Sequence, residues 1–374
     1  MTLPYMIHTS ISHTLKRLLK IILPLWLQVT IRKKLWSKIY NEGRDGERES
    51  KRILKYLRKG NVKKVVIVYD NFSSPPTFGD YFLLVMFARY FIARGVAVSF
   101  LIVDGEYRLD WSALNEDETK NLVARYVQTA NLLLDPSLAT VEVITSLKLQ
   151  ARIRGHIDQG VDVPFREEVI NRTQIYRHMF NTLSPLCFES SQRCVDRFLL
   201  SFDELERKVV FKKPEQPYIT WHVRHSEKWG LERNNSNEEF LQIYDRLKAL
   251  YPHHAIVIVS DEVGCFRFKE LASQYDLNLL FSKDYSNSLL GDGGLILGSD
   301  YLFVLRSGGM GVFALFSRLP SELIIEPGAV VPWRHERLTS WATDNQIFRY
   351  SNRKKEIWPT LGVMDKSNSA PRKP

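Results

Sequence analysis

Short apolar runs alternate with longer stretches of helical periodicity through the first half of this chain. The runs at 63–70, 96–104 and 140–145 are rich in β-branched residues, which is typical of buried parallel strands. Between the first two, Tyr81–Arg94 has apolar residues at helical spacing and predicts a helix. Strands that alternate with helices predict a parallel sheet covered on both faces, as in a Rossmann-like unit.

The second half repeats this alternation. Its clearest helix is Asn237–Leu250, which opens with Ser236 and Asn237 as candidate caps and has two glutamates in its first turn. Five apolar runs predict the strands of a second sheet: 218–223, 255–261, 277–281, 301–305 and 322–327. The predicted fold is therefore α/β, with two Rossmann-like parallel-sheet domains that face a cleft. Ligands of such folds bind in the cleft at the carboxyl ends of the strands.

The boundaries of the predicted domains follow from changes in composition. The length of 374 residues favours two domains, and 44% hydrophobic residues are enough for a sizeable core. The two domains are expected to meet near residues 200–215. Four segments result: a basic amphipathic segment at 1–45, an N-terminal domain at 60–205, a C-terminal domain at 210–350 and a tail at 351–374.

The N-terminal segment is basic and amphipathic. Lys16–Lys38 contains seven lysines and arginines and no acid. Its apolar centre, Ile21–Leu27, is far shorter than the roughly 20 residues that span a bilayer, and Pro24 interrupts it. Two interpretations stay open. The segment is either an interfacial anchor, with Trp26 and Trp36 at the headgroups of an anionic membrane surface, or an amphipathic helix packed on the body.

Cysteine content and charge restrict the compartment and the partners. The three cysteines form no CxxC pair, which favours a reducing compartment, and we expect a cytoplasmic protein, peripheral on the inner face of the membrane if the anchor functions. The net charge of +10 is concentrated in the terminal segments, and no nucleic-acid-binding motif accompanies it. Nucleic acid is therefore not an expected partner.

The loop after the first predicted strand lacks the glycine pattern of dinucleotide-binding proteins. The sequence there is NFSSPPTFGD, without G-x-G-x-x-G, which argues against a dehydrogenase. Gly79 and Asp80 stand just before the first helix. Gly79 would let a substrate approach the backbone closely, whereas Asp80 either caps the helix or contacts a substrate.

A second glycine-rich turn follows the predicted strand at 301–305. There Ser307, Gly308 and Gly309 lead into an apolar helix. Free backbone N–H groups at such a helix entrance bind phosphate. The alternative, a tight connection in which the glycines only permit packing, stays open at this point.

The stretch TWHVRHSEKWGLE, residues 220–232, places charged groups where a buried strand ends. Because side chains alternate along a strand, His222 and Arg224 are expected on one side, and Trp221 and Val223 on the other. An arginine at the carboxyl end of a strand is suited to bidentate binding of phosphate oxygens. Three charged residues follow on the loop: Glu227, Lys228 and Glu232.

Three segments in order resemble one family. HVRHSEKWGLE resembles the HVRRTDKxGxE signature of GDP-fucose-dependent α1,6-fucosyltransferases, of the core N-glycan and nodulation-factor types. VSDE at 259–262 is similar to the acidic turn that reads the nucleotide, and DGGLILGSDYLFVLRSGG at 292–309 is similar to the family segment D…L…ADFLVCTFSSQ. The resemblance covers about 90 residues of the second half. It implies a GT-B-like fold with the donor in the C-terminal domain and the acceptor mainly in the N-terminal one.

The resemblance also implies roles for single residues. It makes Arg224 the ligand of the diphosphate, with His222 supporting the nucleotide. Asp261, with Glu262 beside it, becomes a contact for guanine or ribose. The positions beside the diphosphate are Asp292, Ser307, Gly308 and Gly309.

The catalytic roles fall on the loop after the predicted strand. Glu232 takes the position of the general base, and Lys228 that of its basic neighbour. Three positions depart from the family pattern: His225 replaces an arginine, Glu227 an aspartate, and Ser307-Gly308 a pair of serines. These departures leave the donor sugar open more than the class of reaction.

The chemistry of sugar transfer agrees with this assignment. Negative charge develops on the leaving diphosphate, and the chain contains no Asp-x-Asp to hold a metal, so neither a metal nor a cofactor is expected. The predicted function is inverting transfer of a sugar, in the first instance fucose from GDP-fucose, to a glycan or a lipid-linked saccharide. The alternatives are a heptosyl- or other hexosyltransferase with another nucleotide sugar, and a non-catalytic protein that binds a nucleotide or phosphosugar.

Overall fold

The structure is a computed structural model. It describes residue 55 and residues 62–70, 78–104, 116–159, 192–225, 234–305, 309–325 and 346–350. The predicted N-terminal segment at 1–45 and the predicted tail at 351–374 lie outside the described residues. Within the described ranges, no helix is both long and apolar enough to cross a membrane.

The N-terminal half contains a three-stranded parallel sheet in the order β1-β2-β3. Its strands are β1 (Lys64–Asp70), β2 (Ala97–Asp104) and β3 (Ala139–Thr145). Its helices are α1 (Phe78–Ala93), α2 (Glu116–Leu133) and α3 (Ser146–Asp158). All three strands coincide with the predicted apolar runs, but the prediction that β3 is buried was wrong, because β3 is the edge strand of the sheet and Val143 is 44% exposed.

Helix α1 begins earlier than predicted. It starts at Phe78, so Gly79 and Asp80 lie inside its first turn and not before it, and Asp80 is not the N-cap. The reason is packing: the ring of Phe78 lies 5.2 Å from that of Phe82 and 6.1 Å from that of Phe313 in the C-terminal half. These contacts extend the helix beyond its continuous apolar run.

The described part of the connection between the halves, from residue 192 onward, contains two short helices, α4 (Gln192–Phe198) and α5 (Phe202–Lys208). Ser201 caps α5 by accepting a hydrogen bond from the backbone of Glu204 at 3.2 Å. The backbone N–H of Leu200 donates to the carbonyl of Phe316 at 2.8 Å, which joins this connection to the C-terminal half. The connection is thus held by secondary structure and by contacts with both halves.

The C-terminal half contains six parallel strands in the order β6-β5-β4-β7-β8-β9. The strands are β4 (Tyr218–His222), β5 (Ala255–Val259), β6 (Leu280–Phe281), β7 (Leu302–Leu305), β8 (Ser321–Ile325) and β9 (Gln346–Tyr350). The order reverses between β4 and β7, as in a doubly wound Rossmann sheet. The two parallel sheets, whose strands alternate with helices along the chain, confirm the predicted α/β class.

Four helices and a 3₁₀ turn are present among the described residues of this half. They are α6 (Asn237–Leu250), α7 (Glu262–Gln274), the 3₁₀ turn Ser282–Asp284, α8 (Leu289–Leu297) and α9 (Gly311–Leu315). Ser236 caps α6, and the side chain of Glu239 bonds back to the Ser236 backbone at 3.0 Å. The predicted start of this helix is confirmed.

The sequence and the structure differ most at short elements. Strand β6 has two residues where five were expected, because the backbone N–H of Leu277 bonds to Ala272 and closes α7 instead of pairing in the sheet. Strand β9 was not predicted. Helix α9 has only five residues, so it contributes little of the helix dipole that the sequence interpretation placed behind the glycine turn.

The core lies on both faces of the C-terminal sheet. On one face, Phe240 stacks on Trp221 at 4.5 Å and on Phe268 at 4.8 Å between ring centroids. The other face belongs to a larger cluster that continues into the N-terminal half, where Phe82 lies 4.9 Å from Phe313. The two sheets are therefore joined by a continuous apolar contact.

The carboxyl ends of the two sheets meet at two glycines. Gly79 follows β1, and Gly309 follows β7. A Cβ atom added to Gly79 would lie 3.3 Å from the Cα of Gly309. At Gly79, the absence of a Cβ atom therefore allows the backbones of the two halves to come close together.

Candidate functional site

The site is built around the point where the strand order reverses. Strands β4 and β7 are neighbours there, with His222 opposite Val304. In doubly wound sheets, ligands bind outside the carboxyl ends of the strands at this point. The two segments that follow these strand ends in the sequence, 226–233 and 306–308, lie outside the described residues.

His222 ends β4 and is 6% exposed. Its Nδ1 lies 2.9 Å from the carbonyl oxygen of Val259, which also accepts a bond from the backbone N–H of Val223 at 3.1 Å. Because a carbonyl only accepts, Nδ1 carries the hydrogen and Nε2 has the free lone pair. Nε2 is buried and has no hydrogen-bond partner among the described residues.

The charge state of His222 follows from its surroundings. Burial lowers its pKa below the ordinary value, and the positive charge of Arg224 lowers it further, while Val259 and Asp261 oppose the shift. The ring is therefore neutral at pH 7. An unsatisfied buried acceptor costs about 1–3 kcal/mol, which a ligand hydroxyl or N–H that bonds to Nε2 would recover. His222 would therefore bind a ligand as a neutral hydrogen-bond acceptor, and not as a cation that attracts phosphate.

Arg224 and His225 leave the end of β4 in different directions. Trp221 and Val223 belong to the cluster on the α6–α7 face, and the ring of His225 lies edge-on to Phe268 of that cluster at 6.2 Å. His225, which replaces an arginine of the similar family, is therefore on the face opposite His222. Arg224 is partly buried two residues beyond the strand.

Asp261 and Glu262 follow β5. Asp261 is the N-cap of α7 and accepts a hydrogen bond from the backbone N–H of Gly264 at 2.8 Å. Glu262 is the first residue of the helix, and both side chains are exposed. One carboxylate oxygen of Asp261 therefore serves the helix, and the other faces solvent at the carboxyl edge of the sheet.

Asp292 is buried in the first turn of α8 and pairs with a residue that the sequence interpretation missed. It is 3% exposed, and its Oδ2 lies 2.5 Å from Nζ of Lys283. Its Oδ1 is buried with no hydrogen-bond partner among the described residues. The hydroxyls of Ser282 and Ser286 are close enough to lower its pKa, although neither forms a hydrogen bond of good geometry with it. A lysine two residues after the apolar run 277–281 was the available signal.

The carboxyl group of Asp292 is energetically unfavourable in its ionised form. Burial raises its pKa from 3.8 to about 6, although Lys283 acts in the opposite direction. The unfolded chain loses this proton at lower pH than the folded chain, so folding stability decreases as the pH rises through this window. The shift corresponds to about 3 kcal/mol above pH 6. A buried acid that lowers stability at a strand-end site is a candidate for function.

The remaining predicted site residues are Gly309, Asp80 and four residues of the segments that follow β4 and β7. Gly309 is described and exposed, and its neighbour across the interface is Gly79. For Asp80 the backbone alone is described. Four predicted residues lie outside the described residues: Lys228, Glu232, Ser307 and Gly308.

A cavity of about 1190 Å³ lies elsewhere, on the connection between the halves. Among its lining residues, Gly95 precedes β2, Leu138 precedes β3 and Pro320 precedes β8. It thus opens at the amino ends of the strands, away from His222. We therefore place the candidate site at the carboxyl ends of the strands, where His222 lies, and not at this cavity. Among the described side chains, no group of three His, Cys, Asp or Glu residues is arranged to hold a metal ion.

Comparison with known proteins shows remote likeness only. No family model and no curated protein matches the chain. One similar structure is E. coli ADP-heptose LPS heptosyltransferase II, with 10% identity, coverage of 77% of this chain and 92% of that chain, and a TM-score of 0.40. Another is Acinetobacter baumannii MurG, with 11% identity, coverage of 77% and 86%, and a TM-score of 0.31. Scores this low establish neither a shared activity nor a shared ligand.

Proposed function

We propose that this protein is a glycosyltransferase that moves a sugar from a nucleoside diphosphate donor to a saccharide acceptor. The observation that carries the proposal is His222, whose buried Nε2 has no hydrogen-bond partner among the described residues, followed by Arg224 at the reversal point of a doubly wound sheet. Arg224 would neutralise the diphosphate, and Nε2 would accept a bond from a ligand hydroxyl. A nucleoside diphosphate sugar carries both a diphosphate, which Arg224 would bind, and hydroxyls, one of which would donate to Nε2 of His222.

The finer assignment is transfer of fucose from GDP-fucose with inversion and without a metal. It is supported by the order of three fucosyltransferase-like motifs and by the absence of Asp-x-Asp from the sequence. Glu232 would remove the proton from the acceptor hydroxyl as it attacks, with Lys228 beside it. The acceptor would be a glycan or lipid-linked saccharide that enters from the N-terminal half.

The experiment that tests the donor class is thermal shift and calorimetry with GDP, ADP, UDP and CDP in the presence of chelator. A ligand at 100 times its dissociation constant raises stability by about 2.7 kcal/mol, so a specific nucleotide is readily detected. We expect GDP to stabilise the protein most. Preference for another nucleotide would favour a heptosyl- or hexosyltransferase, and binding of none would contradict the proposal.

Arg224→Ala is expected to weaken GDP binding by roughly 10–100-fold, because it removes a charge-assisted hydrogen bond worth about 1.5–3 kcal/mol. The matched control is the adjacent His225→Ala, since that ring lies on the other face against Phe268. Its GDP affinity should stay within about twofold of the wild type. Equal affinities in both variants would remove Arg224 from the site.

The proposed location is the cytoplasmic surface of a membrane, with segment 1–45 as an interfacial anchor. Its basic charge and tryptophans support this location. Deleting residues 1–45 should leave nucleotide binding intact and abolish sedimentation with vesicles of anionic lipid. An insoluble truncated protein would instead indicate that the segment packs on the body.

A further inference from the structure

We propose that Lys283, held by Asp292, is a specificity-determining residue that contacts the nucleoside part of the donor. This inference rests on the proposed nucleotide-sugar function. It adds a cation at the carboxyl end of β6 to the residues already placed at β4 and β5. Four features of the structure support it: the register of the strands, the face of the sheet, the ion pair and the remaining exposure of the lysine.

The register places Lys283 at the edge of the sheet where the ligand binds. Phe281 is opposite Ile258 of β5, so residue 283 is level with Ser260, just beyond the end of β5. Strand β6 is two positions from β4, and adjacent strands are about 4.8 Å apart, which separates the two by about 10 Å. With the diphosphate at the β4–β7 reversal point, the nucleoside extends over the ends of the neighbouring strands.

Lys283 and His222 act on the same side of the sheet. Tyr218 shares the face of His222 by strand alternation, and its hydroxyl donates to the carbonyl of Leu295 in α8 at 3.0 Å. Helix α8 therefore covers the face that bears His222. Because Asp292 is on the same helix, it draws the Lys283 ammonium to this side.

The ion pair fixes the position of the ammonium and reduces its charge. Asp292 is almost fully buried, and the Lys283 side chain is 21% exposed, so one partner is anchored and the other reaches the surface. An ammonium has three N–H donors, and among the described residues Nζ of Lys283 has one hydrogen-bond partner, Oδ2 of Asp292. A neutralised, oriented donor is suited to carbonyl oxygens, ring nitrogens or ribose oxygens more than to the charge of a phosphate.

The test compares nucleotides with inorganic pyrophosphate, which lacks the nucleoside. GDP, ADP, UDP, CDP and pyrophosphate are titrated into wild-type protein and Lys283→Met by calorimetry. We expect the affinity for the preferred nucleotide to fall about 10-fold or more, and that for pyrophosphate to stay unchanged. Lys269→Met is the matched control, because its ammonium pairs with Asp284 at the exposed surface beside the same turn. It should bind every ligand as the wild type does.

The Asp292→Asn variant tests whether Asp292 acts by positioning Lys283 or by stabilising the fold. It should show the same selective loss of nucleotide affinity, with a melting temperature at pH 7.5 no lower than that of the wild type, because the unfavourable ionised acid is gone. Equal losses for nucleotide and pyrophosphate, or unchanged nucleotide affinity in Lys283→Met, would overturn the inference alone. If no nucleotide binds the wild type, the proposed function itself fails.

Discussion

Replacing Arg89 with methionine is expected to lower the free energy of unfolding by about 3–5 kcal/mol. The guanidinium, in a residue 7% exposed, forms a bidentate pair with Glu204 at 2.7 and 2.8 Å. It also donates to the carbonyls of Leu133, Phe198 and Leu199, at 2.6, 3.1 and 3.3 Å. The variant leaves three carbonyls without this donor and leaves the largely buried Glu204 carboxylate with Lys208 alone. Urea denaturation of the full chain measures the loss.

The pKa of Glu204 shows that the carboxylate depends on this pair. Burial alone would raise it, yet the pKa is lowered, because Arg89 and then Lys208 bond to the ionised form. The control is Arg318→Met, which breaks a pair with Asp196 on the exposed surface of the same region. Exposed pairs contribute about 0–1 kcal/mol. Similar losses in the two variants would show that Arg89 does not hold the connection between the halves.

Replacing Glu232 with glutamine is expected to lower the rate of sugar transfer by about 10²–10⁴-fold and to leave GDP affinity nearly unchanged. In the sequence, Glu232 is eight residues beyond Arg224, with Gly230 between them, and the proposed role places Glu232 on the acceptor side while Arg224 holds the diphosphate. It lies outside the described residues, and the expectation rests on its position in the motif. The measurement is transfer, or slow hydrolysis of GDP-fucose if no acceptor is identified.

Two further variants make this result specific. Glu238→Gln changes an exposed glutamate in the first turn of α6 and should leave the rate unchanged. Lys228→Ala should weaken donor binding as well as turnover. A wild-type rate in Glu232→Gln would remove it as the base. Absence of turnover in every protein and acceptor, with nucleotide binding intact, would favour a non-catalytic binding protein.

The candidate site was only partly predictable. His222 and Arg224 could be placed because a strand end and the alternation of side chains are local properties of TWHVRH. The ion pair of Lys283 and Asp292 could not, because it joins a 3₁₀ turn to the next helix. Nothing in the sequence shows that Asp292 is buried there. The anion-binding interpretation of the glycine turn stays a prediction, because Ser307 and Gly308 lie outside the described residues; the helix that follows, α9, has only five residues.

The sequence by itself determined the class of fold. Eight of the nine described strands coincide with predicted apolar runs, because strands of parallel sheets are built from continuous apolar and β-branched segments whatever their neighbours are. The tertiary structure alone decided the strand order, the contact between Gly79 and Gly309, and the partner of Arg89. These depend on contacts between residues far apart in the chain, which local periodicity does not encode. For the same reason, the position of His222 could be predicted from its own strand, whereas the Val259 carbonyl that sets its tautomer could not.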